Sequence, residues 1–257
     1  MAAEKQNKNG RLRLKQDLAK GSFQKLYVLY GEEDYLREYC LRQLKAKVVD
    51  ETFADFNLIE LDGKTMTPDD LTEAVDSYPA MSDRKLVIVT DFNLYAPPAA
   101  FGDKLLDLLS DLPDYVCLVF YFDVLEAKPD KRTKVYKLLD KVACIAEFSR
   151  LEERELIEHI ERRARSLGCT IAPDGASYMI FLCGNSLTNL MGEVEKAAAH
   201  STTGEIKRYN IDAVCSPVLD AVVFDLTDAI ADGKFDKAVS LVGDLLRLKN
   251  NEVLIFT

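Results

Sequence analysis

Three runs in the first half of the chain are apolar at every position: LYVLY at 26–30, LVIV at 86–89 and VCLVF at 116–120. A strand with one face in water alternates polar and apolar residues, so runs without alternation predict strands covered on both faces. Further strands are expected at 57–61 and 144–148, and the last two runs extend to 85–90 and 115–122. Helix-length segments with apolar stripes separate them, at 35–49, 68–77, 98–110 and 131–142. Thr67, Pro68, Asp69 and Asp70 form a helix start, with an N-cap, a proline at the first position and acids in the first turn. Strands alternating with helices of this length predict a parallel sheet with helices on both faces.

The pattern changes near residue 150. From Leu151 onward only helices are expected: 152–167 stopped by Gly168, then 173–183, 187–200 and a short one at 211–215. Beyond Pro217 come 222–231, stopped by Asp232-Gly233, and 235–248. The final NEVLIFT begins another apolar helix without finishing it, so the chain is expected to stop inside a third, all-helical domain. The expected division is an α/β domain over 1–148, a small helical domain over 149–217, and the start of a helical collar over 218–257.

Charge excludes one class of function. Residues 1–25 hold seven Lys/Arg against two Asp/Glu, while the whole chain carries a net charge of −10. An acidic body is poorly suited to gripping phosphate backbones alone. The basic N-terminal segment could touch DNA, but with Leu12, Leu14 and Leu18 among its charges it reads more simply as a solvated amphipathic end. The longest apolar run falls far short of the ~20 residues of a membrane span, and the N-terminus has no apolar signal region. Six cysteines (Cys40, Cys117, Cys144, Cys169, Cys183 and Cys215) stand at wide spacings without a C-x-x-C pair. That argues against zinc and for free thiols in a cytoplasmic setting.

The turn after the first strand looks like a nucleotide site and lacks its chemistry. Gly31, Glu32, Glu33 and Asp34 stand where a phosphate loop would place glycines, a lysine and a hydroxyl. A like-charge pair at about 4 Å costs on the order of 4 kcal/mol at an effective dielectric near 20. That would cancel half of a micromolar affinity of about 8 kcal/mol. Asp91-Phe92 also lacks the acidic pair of a working Walker B motif. The same strand ends carry Glu32, Glu33, Asp34, Asp91 and Asp123, so an acidic metal site of the receiver kind is the alternative reading. The lysine such a receiver needs after its last strand is replaced by Ser149-Arg150. His159 and His200 stand in charged or loop surroundings and suggest no base. No catalytic residue, metal ligand or cofactor is assigned.

Several segments, in order, resemble one family: LYVLYGEEDYL, YPAMSDRKLVIV, PDKRTKVYKLLDK with EFSRLEERELIEHI and GEVEKAA, and VVFDLTDAIADGKFDKAVSLVGDLL. They are similar to the delta subunit of the bacterial DNA polymerase III clamp loader, more in its firmicute form than its enterobacterial one. The resemblance implies an AAA+-like domain with a degenerate phosphate loop, a lid-like helical domain and a collar. It also implies a subunit without catalysis of its own inside a DNA-directed DNA polymerase, a nucleotidyltransferase. Its partners would be the beta sliding clamp, the ATPase subunits gamma/tau and delta prime, with primed DNA met mainly through the complex in the bacterial cytoplasm. By the same resemblance the clamp-binding segment is Tyr78, Pro79, Ala80, Met81 and Ser82. Ala80 departs from the bulky residue expected there, which leaves Met81 as the main apolar plug.

Overall fold

The computed structural model describes residues 2–218, 226, 227, 230 and 234–248, with side chains described from residue 10 onward except at 237, 241 and 244–248. The chain divides into two compact units, 1–150 and 151–257.

In the first unit, five strands form one all-parallel sheet: β1 (Leu26–Tyr30), β2 (Leu58–Asp62), β3 (Lys85–Thr90), β4 (Val116–Tyr121) and β5 (Cys144–Glu147). Their spatial order is β2-β3-β4-β1-β5. Helices α1 (Ala2–Lys20), α2 (Asp34–Val48), a short α3 (Ala54–Asn57), α4 (Pro68–Asp76), α5 (Gly102–Ser110) and α6 (Lys134–Val142) connect and flank them. Side chains alternate across a strand, and here both faces are covered. Val28, Val89 and Phe120 pack with Leu71, Leu105 and Leu139 of α4, α5 and α6. Tyr27, Ile88 and Val119 pack with Leu14 and Leu18 of α1 and Leu41 and Leu44 of α2. Double coverage is why those strands carry no polar alternation.

Two boundaries move inward. The helix expected at 98–110 starts at Gly102, because the preceding residues form a proline-led turn. The helix expected at 131–142 starts at Lys134, where the Thr133 hydroxyl caps it by accepting the Tyr136 N–H at 3.2 Å. The helix start at Thr67 forms a reciprocal cap: Thr67 N–H donates to Asp70 at 2.7 Å, and Asp70 N–H to the Thr67 hydroxyl at 3.2 Å.

The basic N-terminal segment is not a solvated end. From Gly10 onward α1 lies along β5, with Leu14 and Leu18 buried and only Leu12 exposed. A side chain at Gly10 would overlap the Ile145 carbonyl, so glycine lets the helix backbone meet the strand. Tyr27 donates its hydroxyl to Asp17 at 2.8 Å, tying α1 to β1. The sheet has two apolar faces, and α2 alone leaves one only partly covered.

The second unit contains α7 (Glu153–Ser166), α8 (Pro173–Cys183), α9 (Leu187–His200), α10 (Arg208–Val214) and α11 (Phe235–Leu248). It is not helical throughout. Thr170–Ile171 (β6) and Glu205–Ile206 (β7) pair in parallel, a ladder too short to leave a periodicity in sequence. Gly168 closes α7 in the left-handed region. The helix expected at 222–231 and the tail NEVLIFT lie outside the described residues, apart from 226, 227 and 230.

Candidate functional site

In a parallel sheet every strand ends at the same edge, and the two edges of this sheet are built for different purposes. At the carboxyl edge, the acids of the Gly31–Asp34 turn do not converge. Glu32 pairs with Arg150 at 2.6 Å, and both are exposed. Glu33 is buried, and its carboxyl is raised above the usual range by burial and by Asp34, with Arg11, Arg150 and Arg37 opposing. Asp34 accepts from Arg37 at 2.7 Å. The expected repulsive cluster is therefore a set of acids held apart, most of them answered by guanidinium groups.

Arg37 closes this turn. Its buried side chain donates to the Gly31 carbonyl and, at 3.2 Å, to the Asp123 carbonyl, while its guanidinium lies over the Tyr121 ring. One of the turn's own donors is also engaged: the Glu33 N–H donates to the Phe148 carbonyl at 2.8 Å. Gly31, at φ 127°, packs so closely on Phe148 that no side chain would fit. A phosphate needs free N–H groups converging on a hollow. Here one N–H is spent on Phe148, just past β5, and an arginine lies across the turn.

Asp91 is likewise a brace. It adopts a left-handed backbone at φ 56°, and its buried Oδ1 accepts the N–H groups of Asp123, Val124 and Leu125 at 2.8–3.0 Å. Its Oδ2 faces Lys64 at 3.5 Å. Burial would raise this carboxyl, but the three N–H groups and Lys64 outweigh it and hold the pKa below the ordinary value. Asp123 faces Arg37 at 3.7 Å. The receiver-like alternative fails on two counts. Its strand order is 2-1-3-4-5, whereas β1 here lies between β4 and β5, and Asp91 has Oδ1 engaged by three backbone N–H groups and Oδ2 facing Lys64.

At the amino edge, the chain between α4 and β3 presents apolar side chains to water. Tyr78 is 84% exposed and Met81 85% exposed, while Pro79, Ala80 and Ser82 are half-buried. Neither Tyr78 nor Met81 packs under the sheet. The mount beneath them is rigid. Asn57, fully buried, clasps Ala80 with two 2.8 Å hydrogen bonds, one to its N–H and one to its carbonyl. Lys85, also buried, donates to the Ser77 carbonyl and hydroxyl and lies over the Tyr115 ring. Burial lowers the Lys85 pKa to about 8, against the pull of Asp76. Tyr115 donates to the Asp76 carbonyl at 2.9 Å, and its ring centroid lies 5.1 Å from that of Tyr78. Arg84 donates to the Phe23 carbonyl at 2.8 Å.

Met81 itself has φ 51°. The left-handed region costs a residue with a Cβ roughly 1–2 kcal/mol, and that cost is sustained here next to Ala80, which Asn57 holds by both its N–H and its carbonyl. Sequence reasoning singled out Tyr78–Ser82 but not Asn57, which reads as an ordinary strand-edge residue. It also passed over Phe56, next to Asn57 and 69% exposed, whose isolated exposure leaves no sequence signal.

Comparison with solved structures first gives the class. Thermotoga maritima RuvB matches with a TM-score of 0.51 at 14% identity, over 82% of this chain and 67% of that one, and shows an AAA+-like fold. A Bacillus subtilis DNA clamp loader delta protein shares the fold more fully, with a TM-score of 0.68 at 24% identity over 95% of this chain and 74% of that one. The particular relationship comes from sequence. Residues 27–149 match the family model described as DNA polymerase III, delta subunit. The chain is 25% identical over 244 residues to DNA polymerase III subunit delta of Bacillus subtilis, covering 93% of this chain and 70% of that protein. A probable delta subunit of Aquifex aeolicus is 24% identical, covering 87% of this chain and 64% of the relative. The chain is thus similar to DNA polymerase III delta subunits, the resemblance that its motifs carry.

Proposed function

We propose that the chain binds the beta sliding clamp through Tyr78–Ser82 and helps to open it, as the delta subunit of a clamp loader without ATPase activity of its own. The observation that carries this reading is an exposed Met81 in a strained backbone, beside Ala80, which buried Asn57 clasps from below. A residue kept in that state serves no packing purpose in the isolated domain. Methionine is unbranched and polarizable, which suits a foreign apolar pocket. The closed carboxyl edge fits the same reading, since a subunit without a nucleotide site has no use for an open phosphate loop. Gamma/tau and delta prime would join through the helical regions, and primed DNA would be met mainly through the assembled loader.

The test is surface plasmon resonance against the immobilised sliding clamp of the same organism, with and without Mg·ATP, paired with calorimetric titration of the nucleotide. Saturable binding that needs no nucleotide, with no micromolar heat from Mg·ATP, is the expected result. Failure to bind the clamp, or binding that requires ATP, overturns the proposal.

A further inference from the structure

The cysteine spacing argued against a metal, but folding gathers two of the six. Cys183 ends α8, Cys215 follows α10, and Glu193 lies between them in sequence, on α9. The two sulfurs and a Glu193 carboxylate oxygen lie within 4.8 Å of one another, and all three residues are buried. We infer that Cys183, Glu193 and Cys215 form a binding site for a zinc-like divalent ion, which joins the ends of α8 and α10 to α9.

Three features support the assignment. The donor set suits a borderline-soft ion, with two thiolates and one carboxylate. Around zinc, with Zn–S near 2.3 Å and Zn–O near 2.1 Å, tetrahedral donors stand about 3.5–4 Å apart. The three groups therefore need to close by about 1 Å or less. Charge also balances. Two thiolates and a carboxylate exceed a divalent ion by one negative charge, and Lys196, 2.6 Å from Glu193 Oε2, supplies the missing positive one. A neutral cluster is the form that a buried site tolerates. Finally, the position gives the ion a structural task. The Val218 N–H donates to the Leu182 carbonyl at 2.8 Å, so the segment leaving α10 already returns along the end of α8. A thiolate–metal link between Cys183 and Cys215 would pin that return just before Pro217.

The experiment uses the full chain, stripped by chelator and kept reduced, titrated with cobalt(II) as a spectroscopic stand-in and then with zinc(II). The expected result is one cobalt per chain with a thiolate-to-cobalt charge-transfer band, which zinc displaces. Glu193→Gln, which keeps both thiols, should retain the band and weaken binding at least about tenfold. The double variant Cys183→Ala/Cys215→Ala should lose the band. Zinc should also slow alkylation of Cys183 and Cys215 in the unaltered chain without protecting Cys40, a readout that needs no variant to fold. No band at stoichiometric cobalt, a band that survives in the double variant, or a Cys183–Cys215 disulfide that forms in air while no metal binds would each overturn the inference.

Discussion

The two edges of the sheet spend similar material in opposite ways. At the carboxyl edge Arg37 and Asp91 turn their charge inward onto backbone groups, and the surface is sealed. At the amino edge buried Asn57 and Lys85 also bind backbone, but what they hold up is an exposed Tyr78 and Met81. The difference teaches that a buried polar residue can serve closure or display, depending on which side of the backbone it grips. In AAA+-like folds the carboxyl edge is where ligands enter. Under the proposed function, sealing it while stiffening the other edge moves the interacting surface across the domain.

The largest effect should come from breaking the closure. Asp91→Ala leaves the part-buried N–H groups of Asp123, Val124 and Leu125 without their shared acceptor, and should cost about 2–3 kcal/mol of stability by urea denaturation. Clamp affinity of the folded fraction should not change. The same carboxylate sets an acid limb. Its pKa is depressed by folding, so its contribution is complete above the unfolded value near 4 and is lost as pH falls through the lower folded value. Asp91→Asn should flatten stability against pH below about 4. An unchanged slope in that range would mean another carboxylate controls the acid limb.

Next comes the display. Met81→Ala should weaken clamp binding roughly ten- to a hundredfold, the equivalent of burying one such side chain. Its melting temperature should hold, because the side chain touches little of its own domain. Met81→Gly sharpens this further: it removes the plug and relieves the positive φ, so affinity should fall while the melting temperature stays level or rises. A drop in melting temperature for either variant would make Met81 a packing residue.

Asn57→Ala should lower both quantities, with about 1–3 kcal/mol lost from stability and a several-fold loss of clamp affinity as Ala80 comes free. Loss of stability alone would show that the clasp does not prepare the loop for binding. Phe56→Ala should change affinity by only a few fold and leave the thermal melt in place. Glu32→Ala should be the smallest change. Its pair with Arg150 is exposed at both ends and is worth about 1 kcal/mol or less. A large loss of clamp binding there would mean that the sealed edge takes part after all.

What the sequence determined by itself was local or repetitive. Uninterrupted apolar runs specify strands buried on both faces, and Thr67-Pro68 with Asp70 specifies a helix start within four residues. The missing lysine and hydroxyl at Gly31–Asp34 are visible as a departure from the usual phosphate loop without any coordinates. The YPAMSDR segment is legible for a similar reason, since its residues are consecutive. Tertiary structure decided everything that joins distant positions. Arg37 looks like a surface residue of α2 until β4 brings the Asp123 carbonyl to it. Asn57 becomes a clasp only when β2 and β3 pair and carry Ala80 alongside. The basic N-terminal segment becomes a layer of the domain because β5 leaves a face that Gly10 can approach. Cys183 and Cys215, separated by 31 intervening residues, meet only through the packing of α8, α9 and α10. Hydrophobic periodicity is a property of neighbouring residues, whereas a polar side chain's role is set by the backbone group that folding places opposite it.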